Sequence, residues 1–271
     1  MMIFSNLIFL SKMAWKNIKT YTKPMEEAHR GQIKENSVRW LGHATSLINI
    51  NNNIIMTDPL FNSFLGHIKR QVKVPDDINY LKVNYILLSH GHTDHINFPS
   101  LRKLNRNAIV LCPKGYKYIL KLIGFKKVFA ISPGEIYSDT NVSIKAFEAK
   151  HDGRRFYIGK NSYSNSYLIT SGNKQVFYAG DTAFTEEFKN LDANIALMPV
   201  GCYKPDRFSE MHCTPEESYK MFKMMNCHKM VPIHYKTFIL SLEDFKETYD
   251  RLVSLNDANI KIINIGQCID F

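Results

Sequence analysis

Hydrophobic and polar positions between residues 37 and 57 follow a pattern that predicts three short β-strands. The strands are expected at 38–41, 45–50 and 54–57, since each is rich in β-branched or other apolar side chains. Gly42-His43-Ala44 and Asn51-Asn52-Asn53 separate them, and glycine and asparagine favour tight turns. A meander of short strands of this kind fits one sheet of a sandwich.

Beyond residue 57, predicted strands and helices follow one another along the chain. Further strands are expected at 83–88, 108–111, 126–130, 143–149, 163–170, 175–179, 194–199, 230–233 and 261–265. A helix start is expected at 100–104, and helices are expected at 117–122, 215–225 and 242–254. Strands interleaved with helices, with a strand meander in each half, predict an α/β fold of four layers, αββα. We expect one such domain over residues 37–271, preceded by a separate segment over residues 1–36.

Residues 1–24 differ from the rest because their apolar side chains fall near helical spacing. These side chains are Phe4, Leu7, Ile8, Ala14, Trp15 and Ile18. Lys12, Lys16, Lys19 and Lys23 are the only charged residues before Glu26. The apolar run at the start is too short to span a bilayer and lacks the features of a signal peptide. Two interpretations stay open: a basic amphipathic helix on a membrane surface, or a helix packed on its own domain or on a partner.

Charge and cysteine usage narrow the expected partners and the cellular compartment. The net charge of +10, from 35 basic and 25 acidic residues, suits an anionic membrane, a phosphate-bearing substrate or nucleic acid. An ordinary basic surface without such a partner is the alternative. The five cysteines lie far apart without a C-x-x-C pair, which predicts reduced thiols in the cytoplasm rather than a disulfide scaffold.

Three histidines and one aspartate are concentrated in residues 90–95, directly after the predicted strand 83–88. Imidazole nitrogen and carboxylate oxygen are good ligands for Zn²⁺ and similar divalent metals. In a turning loop, His90 and His92 can face one metal while Asp94 and His95 face a second. Burying such side chains in an apolar core without partners would cost roughly several kcal/mol. A metal site is therefore favoured, and the alternative is a surface loop that happens to be rich in histidine.

This H-x-H-x-D-H run resembles the signature of the metallo-β-lactamase superfamily of metal-dependent hydrolases. Further segments match one branch of it, in the same order, over about residues 38–271. They are Trp40–Thr45, Thr57–Phe61, Ala179–Thr182, Pro199–Tyr203, His212–Glu217 and Ile233–Phe238. That branch holds N-acyl-phosphatidylethanolamine-hydrolysing phospholipase D and its bacterial relatives, with ascorbate-phosphate lactonase-like proteins nearby. The resemblance implies the same αββα sandwich, with metals at the edge where strand ends meet.

The resemblance also implies a binuclear metal site. Its ligands would be His90, His92 and His151 for one metal, Asp94, His95 and His234 for the other, and Asp181 as the bridge. Zinc is favoured, and manganese and iron also accept histidine and carboxylate ligands. Two metals about 3.5–4 Å apart would lower the pKa of a shared water and supply hydroxide to attack a phosphodiester.

Catalysis is assigned to Asp94, Asp181 and His212. By resemblance, His212 lies near the metals, and we expect it to contact substrate phosphate or to assist proton transfer. By resemblance, Asp58 lies behind the metal ligands, which fits the usual donation of a metal-bound histidine's other N–H to a carboxylate or carbonyl. His43 is likewise expected behind the ligands or beside the substrate. A structural histidine at 43 and a turn-forming aspartate at 58 are the alternatives.

The favoured function is hydrolysis of a phosphodiester, with an N-acylphosphatidylethanolamine-like phospholipid as the substrate that the resemblance suggests. A lactonase acting on a small phosphorylated metabolite is the alternative. A nuclease is disfavoured because the interval from Asp181 to His234 holds no large inserted domain such as RNA-processing relatives carry. A long apolar groove at the site would indicate lipid, and a small polar pocket would indicate a metabolite.

Overall fold

The computed structural model describes the backbone of residues 2–158 and 163–271, and the side chains of these residues except 2–7, 81 and 157. Phe4 and Leu7 of the predicted amphipathic face therefore lie outside the described side chains. The helices are α1 Met2–Ile18, α2 Phe98–Leu101, α3 Lys117–Leu122, α4 Pro215–Met224 and α5 Phe245–Ser254. The strands up to residue 130 are β1 Ser37–Gly42, β2 Thr45–Ile50, β3 Asn53–Thr57, β4 Phe64–Leu65, β5 Ile68–Lys69, β6 Tyr85–Leu87, β7 Ile109–Cys112 and β8 Lys127–Ala130. The later strands are β9 Ile136–Ser138, β10 Ser143–Ala149, β11 Ser164–Ser171, β12 Lys174–Tyr178, β13 Asp192–Ala193, β14 Ile195–Pro199, β15 Asn226–Cys227, β16 Met230–Ile233 and β17 Cys268–Asp270.

Two mixed sheets form the centre of the molecule. One has the strand order β17-β1-β2-β3-β6-β7-β8, and the other has the order β16-β14-β12-β11-β10-β9. Each sheet joins an antiparallel meander, β1 to β3 or β10 to β12, to parallel strands. Side chains of both sheets meet in one buried cluster, to which Ile48 contributes from the first sheet and Tyr167 from the second.

Helices cover the outer faces of both sheets. Leu101 of α2 and Leu120 of α3 pack with Val110 in a second buried cluster on the outer face of the first sheet. Phe222 of α4 and Leu252 of α5 pack on the second sheet. The predicted four-layer αββα order is therefore confirmed.

The prediction of the last strand was wrong. Residues 261–264 form no strand, although Ile260 makes an isolated parallel bridge with Met230. The chain turns at Gly266 and pairs later, with β17 antiparallel to β1 at the edge of the first sheet. A run of apolar side chains does not by itself show which segment of the chain will pair with the edge strand of a sheet. The helix expected from residue 242 begins at Phe245, because Asp244 is its N-cap.

The strands that carry the candidate ligands all point the same way within their sheets. In the first sheet β1, β3 and β6 share one direction, and in the second sheet β10, β12 and β16 share one direction. Their carboxyl ends are followed by His43, Asp58, the run 90–95, His151, Asp181 and His234. Ligand sites in α/β sheets form where such strand ends meet.

Candidate metal centre

The first group of candidate ligands comprises His90, His92 and His151, whose ligand atoms all lie within 4.8 Å of one another. His151 donates its Nδ1–H to the carbonyl of Met211 over 2.8 Å. Its Nε2 therefore carries a lone pair, and this atom lies 3.2 Å from Nδ1 of His92. Nδ1 of His90 contacts the Ser89 hydroxyl at 2.8 Å. The carbonyl and hydroxyl contacts orient two of the three rings.

The second group comprises His43, Asp94, His95 and His234, whose ligand atoms again lie within 4.8 Å of one another. His43 Nε2 lies 2.9 Å from Oδ2 of Asp94. The carbonyl of His43 accepts the backbone N–H of His234 over 3.0 Å, and the two rings lie together with 4.1 Å between their centroids. His43 therefore contacts two candidate ligands through different atoms, as expected of a residue that orients ligands from behind.

Asp181 lies between the two groups. Its Oδ2 is 3.1 Å from Nε2 of His95, 3.0 Å from Nε2 of His234 and 3.9 Å from Nε2 of His90. Its carboxylate is therefore close to ligand atoms of both groups. Because Asp181 is almost fully buried, this carboxylate is also shielded from bulk water. The structure thus brings all seven predicted ligands together, with Asp181 in the position expected of a bridge.

Gly180 allows Asp181 to reach this position. Its φ of +63° is in the left-handed region, and a Cβ there would lie 2.9 Å from Cβ of Ser89 and 3.2 Å from the Asn165 carbonyl. The sequence predicts a close approach of the backbone to a metal at this glycine. The structure shows a close approach to Ser89 and Asn165, which are joined by a backbone hydrogen bond between the two sheets, and the approach to a metal stays a prediction.

Several buried ligand atoms at this centre fit a divalent metal. Within the described part of the chain, Nε2 of His90, Nε2 of His234 and Oδ1 of Asp181 have no hydrogen-bond partner. The Nε2 atoms of His95 and His234 approach Asp181 closely but without hydrogen-bond geometry. Buried polar atoms normally find partners, and imidazole nitrogens facing carboxylate oxygens suit zinc, manganese or iron.

The electrostatics of the centre favour neutral histidines and ionised carboxylates. Burial lowers the pKa of His43 to about 4, with His234 adding to the effect, and burial also lowers the pKa of His151 to about 4. Although burial opposes ionisation of Asp181, His234 and His95 hold the pKa of its carboxyl well below the ordinary value. His95 behaves differently: burial opposes its protonation, but Asp181 and other carboxylates raise its pKa well above the ordinary value. Metal ligation requires the proton of that ring nitrogen to leave.

Asp58 lies directly behind the ligands, where the sequence predicts it. Its Oδ2 is 2.6 Å from Nδ1 of His95 and accepts the Tyr178 hydroxyl over 2.5 Å. Its Oδ1 accepts the backbone N–H of Ser89 over 2.8 Å. Asp58 is fully buried, and these contacts fix the ring of His95 with Nε2 toward the centre.

Sequence reasoning missed several residues that orient the ligands. Tyr178 and Ser89 hold Asp58, the carbonyl of Met211 holds His151, and Thr237 Oγ1 accepts the backbone N–H of His43 over 2.6 Å. Tyr178 is an ordinary strand residue in the sequence. The backbone carbonyl of Met211 cannot be recognised as a hydrogen-bond partner from residue types, because every residue has a carbonyl. Ser89 begins the histidine-rich stretch and Thr237 falls in Ile233–Phe238, both of which the sequence singled out, but neither residue was given a role.

His212 reaches the centre from the loop before α4. Its Nδ1 lies 3.8 Å from Oδ2 of Asp181, and its ring centroid lies 4.9 Å from that of His151. Burial lowers its pKa well below the ordinary value, so the ring is neutral near pH 7. A neutral imidazole at this distance is suited to proton transfer or to a contact with substrate.

A cleft of about 590 Å³ opens from Asp94 to the surface. Its walls include the apolar side chains of Phe64, Phe98, Phe156 and Leu240. Arg155 adds a positive charge at the wall: its guanidinium lies 4.9 Å from the centroid of the Phe98 ring. Among the described residues, the entrance therefore combines apolar surface with the cation of Arg155.

Comparison with known proteins agrees with this geometry. A family model described as "Beta-lactamase superfamily domain" matches residues 53–235. The mitochondrial N-acyl-phosphatidylethanolamine-hydrolyzing phospholipase D of Saccharomyces cerevisiae is 31% identical over 237 residues, which cover 80% of this chain and 51% of that protein. The chain thus spans about half the length of the yeast protein.

Two further proteins are similar along nearly their whole length. A UPF0173 metal-dependent hydrolase of Bacillus cereus is 28% identical over 243 residues, which cover 86% of this chain and 98% of that protein. A crystal structure of a possible metal-dependent hydrolase from Veillonella parvula superposes with a TM-score of 0.72 at 14% identity, covering 88% of this chain and 100% of that one. The family model covers more than half of the chain, and the fold and the grouped ligands agree with it. The chain therefore belongs to the metallo-β-lactamase superfamily, among its metal-dependent hydrolases.

Proposed function

We propose that this protein hydrolyses phosphodiesters with two divalent metal ions, zinc being favoured. The observation that carries the proposal is the position of Asp181, whose Oδ2 lies within 3.9 Å of ligand nitrogens from both groups. One group offers three histidines, and the other offers Asp94, His95 and His234. A carboxylate shared by two such groups is the arrangement that a binuclear hydrolase needs.

The roles of the residues follow from their positions. When bound, the metal ions would lower the pKa of a water and offset the negative charge of phosphate oxygens. Asp58 and His43 hold His95 and Asp94, so the ligand geometry is set before substrate arrives. His212 is a neutral imidazole beside the ligand set, and we assign it the proton transfer to the leaving alcohol or a contact with phosphate.

We propose a phospholipid of the N-acylphosphatidylethanolamine type as the substrate. The apolar wall of the cleft suits acyl chains, and Arg155 suits the charge of the phosphate. The yeast relative is named for hydrolysis of that lipid. Such a substrate resides in membranes, so the proposal includes peripheral contact with a bilayer.

Product analysis on defined substrates tests this function. Full-length protein reconstituted with Zn²⁺ is incubated with long-chain N-acylphosphatidylethanolamine in mixed micelles, and with a phosphorylated sugar lactone. We expect phosphatidic acid to form from the lipid, detected by mass spectrometry, and little turnover of the lactone. Turnover of the lactone alone would contradict the lipid proposal and favour a small-metabolite lactonase.

The two-metal part of the proposal is tested by Asp181→Asn. An amide bridges metals poorly, so we expect this variant to fold but to lose at least one of two metal equivalents and most of its activity. Metal content is measured by elemental analysis, and Asp192→Asn, an exposed site in β13, is the matched control. Two retained equivalents with near-normal turnover would contradict the bridging role.

A further inference from the structure

We propose that one face of α1 is a docking surface for an anionic bilayer and that it lies beside the entrance of the cleft. Delivery of lipid into the cleft rests on the proposed function, whereas the docking itself does not. The helix has two faces with different surroundings, one packed on the domain and one exposed.

One face of α1 is fastened to the domain. Asn17 donates its side-chain N–H to the carbonyl of Ile239 over 3.1 Å, and Lys16 Nζ donates to the carbonyl of Leu242 over 2.7 Å. Met13 and Asn17 are buried in this contact. The interpretation of a helix packed on its own domain therefore holds for this face, and it fixes the direction of the other face.

The opposite face exposes large apolar side chains. Ile8, Trp15 and Ile18 share a side of the helix by their spacing, and they are 44%, 62% and 55% exposed. Lys12 and Lys19 lie on the same side, and Lys19 Nζ sits 4.8 Å from the Trp15 ring centroid. A tryptophan and isoleucines flanked by lysines form the kind of face that enters the interface of a bilayer.

This face continues to the entrance of the cleft. Tyr21, just after α1, makes an edge-on ring contact with Phe64 at 6.3 Å, and Phe64 lines the cleft. Lys69 Nζ donates to the carbonyl of Tyr21 over 3.1 Å, which ties this turn to β5. Leu240 of the cleft wall lies next to Ile239, to which α1 is bonded. A bilayer that contacts α1 would therefore lie beside the entrance.

The charges favour anionic lipid over a second copy of the chain. Lys12 and Lys19 lie on this face and residues 1–25 contain no acidic residue, so two copies related by a two-fold axis through this face would place lysine against lysine. The net charge of +10 adds long-range attraction to an anionic surface. Across the described residues, no helix is long and apolar enough to cross a membrane. Attachment of the protein to a bilayer through the exposed face of α1 is consistent with these features.

Tryptophan fluorescence measures the docking in the full-length protein. The chain has two tryptophans, and Trp40 is fully buried and stacked on Tyr235, so a change on lipid addition reports Trp15. We expect a blue shift with vesicles of phosphatidylcholine and phosphatidylserine, weaker in high salt and weaker still with phosphatidylcholine alone. A chelator is present throughout, so that turnover does not affect the result.

Sedimentation with the same vesicles compares matched variants. The pair Trp15→Ser and Ile18→Ser should reduce binding about tenfold or more, since it removes most of the apolar contact. Tyr118→Ser with Leu122→Ser is the control, because these α3 side chains are at least as exposed as Trp15 and Ile18 but lie elsewhere. Turnover of a short-chain soluble phosphodiester should stay unchanged in both.

Three outcomes would overturn the docking surface: no blue shift, equal loss of binding in both pairs, or a change of oligomeric state in the α1 pair with vesicle binding intact. The last result would assign the face to a second copy of the chain. Vesicle binding without hydrolysis of lipid would instead contradict only the proposed function.

Discussion

At the residue scale, the candidate centre depends on side chains that hold ligands as much as on the ligands themselves. Asp58 receives hydrogen bonds from three different residues and directs one ring nitrogen of His95 to the centre. His43 contacts Asp94 with its ring and His234 with its carbonyl. His43 has a φ of +54°, an uncommon conformation for a residue with a side chain, so its backbone is held there by its surroundings.

Two substitutions at His43 separate its hydrogen bond from its packing. His43→Phe keeps a ring beside His234 but removes the N–H that faces Asp94. We expect affinity for the second metal equivalent to fall about 10- to 100-fold, with the first equivalent retained. Competition with a chromophoric chelator measures both affinities.

His43→Gln should recover most of that affinity, because its amide can still donate to Asp94. His228→Gln, at an exposed histidine, controls for the loss of an imidazole. If the phenylalanine variant binds both equivalents as tightly as the natural protein, the hydrogen bond to Asp94 has no part in metal binding.

At the scale of elements, strand direction assembles the centre and helix caps refine it. The ligands come from loops after β6, β10, β12 and β16, whose ends meet at one edge of the sandwich. His212 depends on a different element, because it lies two residues before Thr214, the N-cap of α4. Thr214 accepts the Glu217 N–H over 3.2 Å, and the Glu217 carboxylate accepts the Thr214 N–H over 2.9 Å. This capping box determines where α4 begins.

Thr214→Ala should therefore destabilise the protein without removing a ligand. Loss of the cap is expected to lower the free energy of unfolding by about 1 kcal/mol, measured by urea denaturation. Metal content should stay the same. Thr140→Ala, in an exposed bend, is the control and should change stability little. A loss of metal in the Thr214 variant, at unchanged stability, would mean that the cap positions the centre rather than the helix.

At the scale of the whole molecule, burying histidines in one place makes the metal-free protein sensitive to acid. The pKa values of His43 and His151 are lowered to about 4 by burial, and those of His90 and His212 are also lowered. An unfolded histidine titrates near 6.5, so between about pH 6.5 and 4 the unfolded chain binds more protons than the folded one. Stability then falls as pH falls through this window. His95 opposes the trend, since its pKa is raised.

We expect the free energy of unfolding of the chelator-treated protein to drop between pH 7 and pH 5, by an amount on the order of a few kcal/mol at most. Bound metal should reduce the drop, since ligands held by metal are not available to protons. Urea denaturation curves at both pH values, with and without Zn²⁺, measure this. A stability that stays constant or rises on acidification would show that the raised pKa of His95 outweighs the lowered ones.

The sequence predicted much of the fold because the periodicity of apolar side chains reports local burial. Strands β2, β10 and β16 and helix α3 have the predicted boundaries, and β11 and β12 are each displaced by about one residue from the predicted 163–170 and 175–179. The strand β9, the hairpin of β4 and β5, and the final strand β17 were not predicted. These are short strands at sheet edges or on the surface. Each forms because it pairs with another segment, and it has too few residues for an alternation of apolar and polar side chains to be recognised.

The sequence by itself indicated a metal-dependent hydrolase of this superfamily, because the ligand types and their order along the chain can be read without the fold. His90, His92, Asp94 and His95 lie within six consecutive positions, and the helical spacing of apolar side chains in residues 1–24 is visible without any partner. Only the tertiary structure decided that Asp181 lies between the two groups, that Tyr178 and Asp58 support His95, and which face of α1 is left exposed. Each of these joins residues far apart in the chain. Such contacts follow from strand order and direction, which depend on the packing of the whole sandwich and on no single segment.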